Sequence, residues 1–293
     1  MTNPLPHFSV IVPCYNERGA ISDTVKGLKA IFDLKVKWEL FVINDGSDDG
    51  TTEILDELVQ DIPELRVIHH DGNRGYGAAI KSGIRRASAE LIVITDADGT
   101  YPNHRIPDLL ELMDDADMVV GARIGASVKY PIMRKIPKAL LVRYCRWITG
   151  RKIPDMNSGL RVFRKSIALE FLHVLPNSFS FTTTITLAAL TNDYFVRYVP
   201  IDYAARIGKS KIKPVGDTIR FLQLILRTGM YFAPIRAFAP IVIALAVAFL
   251  ICAGYDIFIN ENLTDKTLIF LMLTLNTGFF ALIADVIDKR SGR

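Results

Sequence analysis

The sequence predicts an α/β domain with a mostly parallel β-sheet, followed by helices that associate with a membrane. Two observations support this fold class. Short apolar and β-branched runs alternate with helical patterns through the first part of the chain, as in parallel β-α-β units. Two long apolar segments without charge then lie near the C-terminal end. A chain of 293 residues is long enough for one sizeable core and these appended elements.

The composition favours a membrane and anionic small molecules as partners, and it gives no reason to expect nucleic acid. The hydrophobic content of 50% is high for a water-soluble enzyme, whereas the net charge of +4 is modest. Basic residues cluster at 129–152 and 197–213, which suggests phosphates or lipid headgroups. The cysteines are Cys14, Cys145 and Cys252, and their wide spacing predicts reduced thiols in a cytosolic setting, with Cys252 in lipid.

Four strand patterns and three helix patterns follow one another in the first hundred or so residues. Because the carboxyl ends of parallel strands share one edge of a sheet, the loops after these strands are expected to meet there. We expect strands at residues 8–13, 38–44, 65–69 and 91–95, and helices at about 20–32, 51–59 and 78–87, with Ser22 as a candidate N-cap.

Two aspartates follow the fourth strand pattern directly. Asp96 and Asp98 lie where the apolar run opens into a loop, and Gly99 and Pro102 after them break the strand. Two carboxylates one residue apart can converge on a hard divalent cation, which can then hold a diphosphate. An isolated pair of this kind is otherwise an exposed acidic turn, so its interpretation depends on the neighbouring motifs.

The glycine-rich segment 72–77 is ambiguous. It lacks the Lys-Ser/Thr of a phosphate-binding Walker loop and the glycine spacing of a dinucleotide fingerprint. The segment is therefore either a loop of the functional site or simply a tight entry into the next helix, and the two alternatives have equal weight. The preceding pair, His69 and His70, has no third ligand at metal spacing and is expected at a strand end or turn.

Three ordered motifs resemble those of family-2 glycosyltransferases with a GT-A fold, a Rossmann-like α/β fold. They are segments 12–17 and 44–51 and the triplet Asp96-Ala97-Asp98, and the resemblance covers roughly residues 7–213. It implies that Asp96 and Asp98 hold Mg²⁺ or Mn²⁺ against the diphosphate of a nucleotide sugar, where the cation offsets the charge of the departing nucleoside diphosphate. The residues that it implies for nucleotide binding are Pro13, Tyr15, Glu17, Asp45 and Ala97.

Segments 154–164 and 206–211 narrow the resemblance to polyprenyl-phosphate sugar synthases, the group of dolichol-phosphate mannose synthase and bactoprenol glucosyltransferase. The resemblance implies a site for the phosphate of the lipid acceptor. Guanidinium groups suit such a site because they can donate two parallel hydrogen bonds to a phosphate. The residues implied for that phosphate are Arg123, Arg134, Arg206, Ser210 and Lys211, and the catalytic set is Asp96, Asp98, Asp155 and Arg206.

The chain departs from its relatives at two positions. Thr100 stands where some relatives have Gln, so either Thr100 or water is the third metal ligand. Lys138 stands near the position at which a Ser contacts the acceptor phosphate in relatives. Segment 179–186 carries no carboxylate that could serve as a base. A phosphomonoester, with a second pKa of about 6, needs positioning rather than deprotonation. Asp155 is therefore either a base or a residue that orients nearby arginines.

The C-terminal part is expected to bind and cross a bilayer. Residues 215–233 form an amphipathic pattern, and 139–148 form an apolar helix that lies either at the membrane surface or in solvent. Segments 237–255 and 267–284 approach the ~20 residues of a membrane span, against the alternative of a buried helical hairpin. The linking loop 260–266 is acidic and the outer ends are basic, which places the catalytic domain and the C-terminus in the cytoplasm.

The expected organisation is a glycosyltransferase domain at 1–213, an amphipathic juxtamembrane helix at 214–235 and two transmembrane helices at 236–293. The expected function is inverting transfer of a hexose from UDP-glucose or GDP-mannose to undecaprenyl or dolichyl phosphate at the cytosolic face of the inner membrane. Relatives imply a homo-oligomer, a tetramer or dimer, in contact with membrane lipids. The alternatives are a processive polysaccharide synthase, which usually carries Gln-x-x-Arg-Trp and more spans, and a non-catalytic protein that binds nucleotide sugars.

Overall fold

The computed structural model describes residues 7–32, 36–124, 142–178, 180–204, 223 and 226–291. The described residues divide into two compact units. One contains 7–124 and 153–204, and the other contains 142–152 and 226–291.

The first unit is built around a seven-stranded sheet in the order β3-β2-β1-β4-β6-β5-β7. Strands β1 to β4 pair in parallel, as do β5 and β7, while β6 runs antiparallel to both β4 and β5. The predicted α/β class with a mostly parallel sheet is therefore confirmed. The strands are β1 Phe8–Cys14, β2 Trp38–Asn44, β3 Leu65–His69, β4 Leu91–Ile94, β5 Met118–Arg123, β6 Arg161–Arg164 and β7 Val196–Ile201.

The helices lie close to their predicted positions. The helix predicted from Ala78 begins two residues earlier, at Tyr76. Ser22 is not an N-cap, because Ala20 occupies that position and no side chain caps the helix. The helices are α1 Ile21–Ile31, α2 Thr51–Asp61, α3 Tyr76–Arg86, α4 Ile106–Glu111, α5 at residues 142–149, α6 Lys165–Glu170, α7 Phe181–Thr191, α8 at residues 226–232, α9 Pro234–Tyr255 and α10 Asp265–Ser291.

The register of the sheet brings the ends of several strands together. Cys14 at the end of β1 lies beside Asn44 at the end of β2, and Ile94 at the end of β4 pairs with Arg161 at the start of β6. Because β6 is antiparallel, its amino end reaches the edge where β1, β2 and β4 have their carboxyl ends. The segment that enters β6 therefore joins the loops that follow those strands.

Strands β1 and β2 are buried along their whole length, as expected for parallel strands covered on both faces. One carboxylate interrupts this core. Glu39 on β2 is 7% exposed, and its Oε1 accepts hydrogen bonds from the Ser9 hydroxyl, the Ser88 N–H and hydroxyl, and the Ala89 N–H. Burial alone would raise the pKa of Glu39, but these hydrogen bonds outweigh it and lower the pKa below its usual value.

The second unit contains two helices that are long and apolar enough to cross a membrane. These spans are Pro234–Asn260 and Asp265–Ile287, and their most apolar windows are 0% and 11% buried. The apolar side chains therefore face outward, as on a lipid-facing surface. The two predicted apolar segments are confirmed as helices that fit membrane association. The amphipathic helix predicted at 215–233 is described only at 223 and 226–232.

A buried carboxylate closes the turn between these helices. Asp256 is 1% exposed and accepts hydrogen bonds from Thr264 N at 2.8 Å, from Thr267 Oγ1 at 2.7 Å and from Asn260 Nδ2 at 2.8 Å. The donors come from both sides of the turn, so Asp256 ties the end of α9 to the start of α10.

Candidate active site

The loops that follow β1 and β2 bind each other at the carboxyl edge of the sheet. Asn16 has a left-handed backbone (φ 53°), and its side-chain amide exchanges two hydrogen bonds with Asp48, of 2.7 Å to the carboxylate and 2.9 Å from the N–H. The N–H of Glu17 donates to Thr51 Oγ1 at 3.1 Å. The predicted nucleotide residues Pro13, Tyr15 and Glu17 are thus held at one edge, with Pro13 buried and the other two half-buried.

Asp45 follows β2 and is 3% exposed. Its Oδ1 accepts hydrogen bonds from His70 Nδ1 at 2.7 Å and from the N–H of Arg74 at 2.9 Å, and its Oδ2 accepts from the N–H of Gly75 at 2.8 Å. The Nε2 of His70 lies 2.9 Å from the Ser82 hydroxyl. Because a carboxylate only accepts, Nδ1 of a neutral His70 carries the proton and Nε2 accepts from Ser82. This predicted nucleotide residue therefore also anchors the glycine-rich segment.

The two aspartates after β4 have different surroundings. Asp98 is 7% exposed, and its Oδ1 accepts hydrogen bonds from the N–H of Thr100 at 3.2 Å and from its hydroxyl at 2.6 Å. Asp96 is half-buried, and its Oδ1 accepts a hydrogen bond of 3.0 Å from Tyr76 Oη. The intervening Ala97 is 2% exposed. Both carboxylates are therefore fixed in orientation by neighbouring hydroxyl groups.

This donor set fits a hard divalent cation. Within the described part of the chain, no cluster of three or more His, Cys, Asp or Glu side chains is arranged to hold a metal ion. Two carboxylates with substrate phosphate and water completing the coordination are the usual arrangement for Mg²⁺. Thr100 points its hydroxyl at Asp98. Either Thr100, through a lone pair of its hydroxyl, or water stays the predicted third ligand.

Arg123 at the end of β5 is bound by Asp155 on the segment before β6. Nε and Nη2 of Arg123 donate to the two oxygens of Asp155 at 2.7 and 3.0 Å, and the backbone N–H of Arg123 adds a third hydrogen bond of 3.1 Å. The Tyr203 ring packs against the guanidinium at 5.2 Å. Burial alone would raise the pKa of Asp155, but the hydrogen bonds and charge of Arg123 lower it overall. Asp155 therefore has the contacts of an orienting residue.

Arg161 lies in the segment 154–164 that carries the resemblance to polyprenyl-phosphate sugar synthases, and it is 0% exposed. Its guanidinium donates to the carbonyl oxygens of Ser158 and Thr182, the latter at 2.9 Å, and to Thr186 Oγ1 at 2.9 Å. Arg161 therefore shapes the loop that carries Ser158 and Gly159 toward the site.

Several predicted site residues lie outside the described residues. They are Arg134, Arg206, Ser210 and Lys211, together with Lys138. The structure brings together the others at the carboxyl edge of the first unit. Sequence reasoning missed the contacts of Tyr76 and His70, although both lie in or beside stretches that it singled out, the glycine-rich segment and the histidine pair. Only a fold-level pairing of distant loops reveals these contacts.

The profile of glycosyl transferase family 2 matches residues 9–172, more than half of the chain. The low-salt glycan biosynthesis hexosyltransferase Agl6 of Haloferax volcanii is 29% identical over 228 residues, which are 75% of this chain and 53% of the relative. The polyprenol monophosphomannose synthase of Mycolicibacterium smegmatis is 30% identical over 228 residues, covering 74% of this chain and 84% of the relative. The chain thus spans about half of the first relative and most of the second.

Among solved structures, the glucosyl-3-phosphoglycerate synthase of Mycobacterium tuberculosis, in complex with Mn²⁺, UDP and glucosyl-3-phosphoglycerate, superposes with a TM-score of 0.56 at 18% identity. The superposition covers 76% of this chain and 80% of that protein. This likeness supports the GT-A fold that the motifs imply. Together with the profile match over the ordered motifs, it leads to one conclusion: the chain belongs to glycosyl transferase family 2.

Proposed function

We propose that the protein transfers one hexose from a nucleotide sugar of the UDP-glucose or GDP-mannose class to a polyprenyl phosphate, with inversion at the anomeric carbon. The products are a polyprenyl-phosphate-sugar and a nucleoside diphosphate. One observation carries the proposal: Asp45, Asp96 and Asp98 lie at the same sheet edge as the clamped Arg123. The carboxylates proposed to bind the nucleotide and the cation therefore lie at the same edge of the sheet as a guanidinium group that can bind a phosphate.

On the donor side, Pro13, Tyr15, Glu17, Asp45 and Ala97 would hold the nucleoside. The hydrogen bonds between the first two loops fix this region before a ligand arrives. Such prior ordering reduces the entropy lost on binding.

Asp96 and Asp98 would hold Mg²⁺ or Mn²⁺ against the diphosphate. When bound, the cation supplies Lewis-acid neutralisation of the charge on the departing nucleoside diphosphate. The chain contributes the orientation of both carboxylates, through Tyr76 on Asp96 and Thr100 on Asp98.

On the acceptor side, Arg123 would bind the lipid phosphate, with Arg134, Arg206, Ser210 and Lys211 expected to complete the site. Asp155 occupies only two of the five N–H donors of the guanidinium. A phosphate oxygen would form the new bond to the anomeric carbon while the bond to the diphosphate breaks and its electron pair leaves with the nucleoside diphosphate. Because a phosphomonoester with a second pKa of about 6 is already ionised, no base is needed.

The second unit supports action at the cytosolic membrane face. Helices α5 and α8 pack closely at Gly229, where an added Cβ would lie 2.4 Å from Ile148. Arg143, Arg146 and Arg227 are exposed on this pair of helices. Arginines beside an apolar span suit anionic headgroups, and with the acidic loop between the spans they favour a cytosolic catalytic domain and C-terminus. The tetramer or dimer implied by relatives remains a prediction.

The experiment that tests this proposal incubates the purified full-length protein with labelled UDP-glucose or GDP-mannose and undecaprenyl or dolichyl phosphate. A lipid carrying a single sugar on thin-layer plates is the expected product. A polymer would instead identify a processive synthase, and binding without turnover would identify a non-catalytic binding protein.

A further inference from the structure

We propose that Tyr76 is a positioning residue for Asp96, whose carboxylate its hydroxyl holds in the orientation that binds the divalent cation. This inference rests on the proposed function, because it assumes the metal-binding role of Asp96. Its first support is the hydrogen bond of 3.0 Å from Tyr76 Oη to Asp96 Oδ1. The sequence alone drew attention only to the glycines around Tyr76.

The backbone on both sides of Tyr76 is fixed by close packing. Gly75 has a left-handed φ of +99°, and a Cβ added there would lie 2.5 Å from the Asn177 carbonyl oxygen. A Cβ added to Gly77 would lie 2.1 Å from the Pro176 carbonyl oxygen. No side chain fits at either glycine, so both allow the start of α3 to pack against the loop that contains Pro176 and Asn177. Tyr76 therefore has a defined place from which to reach Asp96.

The residues just before Tyr76 are anchored by a second carboxylate. The N–H groups of Arg74 and Gly75 donate to Asp45 at 2.9 and 2.8 Å. Residues 74–76 thus connect Asp45, implied in nucleotide binding, with Asp96, implied in metal binding. This connection gives the glycine-rich segment a role in arranging the donor side of the site.

The backbone at Gly159 also lies close to the Asp96 carboxylate. A Cβ added to Gly159 would lie 2.7 Å from Asp96 Oδ1 and 2.9 Å from Oδ2. The N–H of Gly159 is itself held by a hydrogen bond of 2.7 Å to Tyr101 Oη. The Asp96 carboxylate is therefore bound by the Tyr76 hydroxyl and leaves no space for a side chain at Gly159, and both contacts restrict its rotation.

The Tyr76 hydroxyl acts on Asp96 as a hydrogen-bond donor, because an ionised carboxylate can only accept. A carboxylate has about four lone-pair sites, so one hydroxyl donor can orient it without using its whole acceptor capacity. Hydrogen-bonding partners of this kind, one step outside the metal, commonly change metal affinity by about 10–100-fold when they are removed.

The test measures binding of Mn²⁺ to the full-length protein, with UDP and separately with GDP, from the electron paramagnetic resonance signal of free Mn²⁺. Tyr76→Phe removes the hydroxyl and keeps the ring. We expect Mn²⁺ binding to be weaker by about tenfold or more, in a protein that still unfolds cooperatively. Tyr198→Phe is the matched control, because the buried Tyr198 hydroxyl has no hydrogen-bond partner within the described part of the chain. It should bind Mn²⁺ as the wild type does.

Asp96→Asn and the double variant complete the design. If Tyr76 acts through Asp96, the double variant binds Mn²⁺ no more weakly than Asp96→Asn alone. The inference is overturned if Tyr76→Phe keeps wild-type affinity while Asp96→Asn loses it, or if the two losses add. If Asp96→Asn itself keeps wild-type affinity, the metal-binding role of Asp96 in the proposed function fails, and the inference fails with it.

Discussion

Asp155 binds both Nε and Nη2 of Arg123, at 2.7 and 3.0 Å, and receives the Arg123 backbone N–H as well. Four polar contacts converge on this carboxylate, since the N–H of Asn157 donates to it at 3.0 Å. A carboxylate with so many donors is stabilised in its ionised form and is a weak base.

We predict that Asp155→Asn lowers kcat/KM for the lipid acceptor by about 100-fold, mainly through misplacement of Arg123. The KM for the nucleotide sugar should change little. Because the hydrogen bonds and charge of Arg123 lower the pKa of Asp155 below its ordinary value, this group is ionised at neutral pH and adds no acidic limb to the wild-type rate profile there. Initial rates at varied acceptor concentration and pH check this, with Arg123→Lys as a companion that keeps the charge. A loss confined to kcat, together with removal of a pH limb near neutrality, would instead identify Asp155 as a base.

We predict that Asp98→Asn lowers the rate of hexose transfer by at least about 100-fold, because the leaving diphosphate loses part of its charge stabilisation. Thr100→Val removes the hydroxyl that donates to Asp98 Oδ1 and should cost about tenfold. Transfer of labelled hexose to undecaprenyl phosphate at saturating Mg²⁺ or Mn²⁺ measures both effects. Wild-type turnover by Asp98→Asn would contradict the assignment of this residue.

We predict that Gly159→Ala abolishes most of the activity while the protein stays folded, because the new methyl group would displace the Asp96 carboxylate. Gly27→Ala is the matched control, since Gly27 lies on the exposed side of α1 with no atom within 4 Å of an added Cβ. The control should keep full activity and gain up to about 1 kcal/mol of stability. Transfer assays and thermal unfolding of the two variants provide the comparison. Equal activity in both would show that Asp96 does not need its present position.

We predict that Glu39→Gln destabilises the sheet unit by roughly 1–3 kcal/mol at neutral pH, since backbone N–H donors would then face an amide. The pKa of Glu39 is lower in the folded than in the unfolded chain, so its contribution is complete above the unfolded value of about 4.3. That contribution is lost as the pH falls through the folded pKa. Urea unfolding of both proteins between pH 7 and pH 3 should therefore show a stability difference that narrows in acid. A difference independent of pH would contradict the role of the ionised carboxylate.

Local patterns allowed the first four strands and first three helices of the first unit to be predicted, because parallel strands are continuous apolar runs and the loops after them are polar. Strands β5 to β7 were not predicted. The order and direction of strands that pair over long distances in the sequence could not be predicted. Nothing local indicates that β6 enters between β4 and β5 in the opposite direction, since its apolar run is compatible with either direction. The two-residue shift at the start of α3 arises from the left-handed Gly75, which permits the sharp entry at Tyr76.

The sequence likewise predicted the positions of the main residues of the candidate site but not their hydrogen-bond partners. The positions of Asp45, Asp96 and Asp98 followed from their places after strands and from the family resemblance. Their partners did not, because His70 and Tyr76 reach them across 25 and 20 residues of sequence. The sequence also gave no sign that Arg161 is fully buried. Its burial depends on the packing of α7, whose Thr182 carbonyl oxygen accepts a hydrogen bond from the guanidinium.

The reversed strand β6 has a consequence for how specificity is encoded. In an all-parallel sheet only segments that leave strands border the cleft, but here a segment that approaches a strand borders it too. The residues proposed for the sugar nucleotide thus come from chain before position 102, whereas Arg123 and Asp155 come from chain after it. Under the proposed function, changes around Arg123 and Asp155 are expected to alter which acceptor is used, provided that Gly159, whose backbone lies against Asp96, is kept.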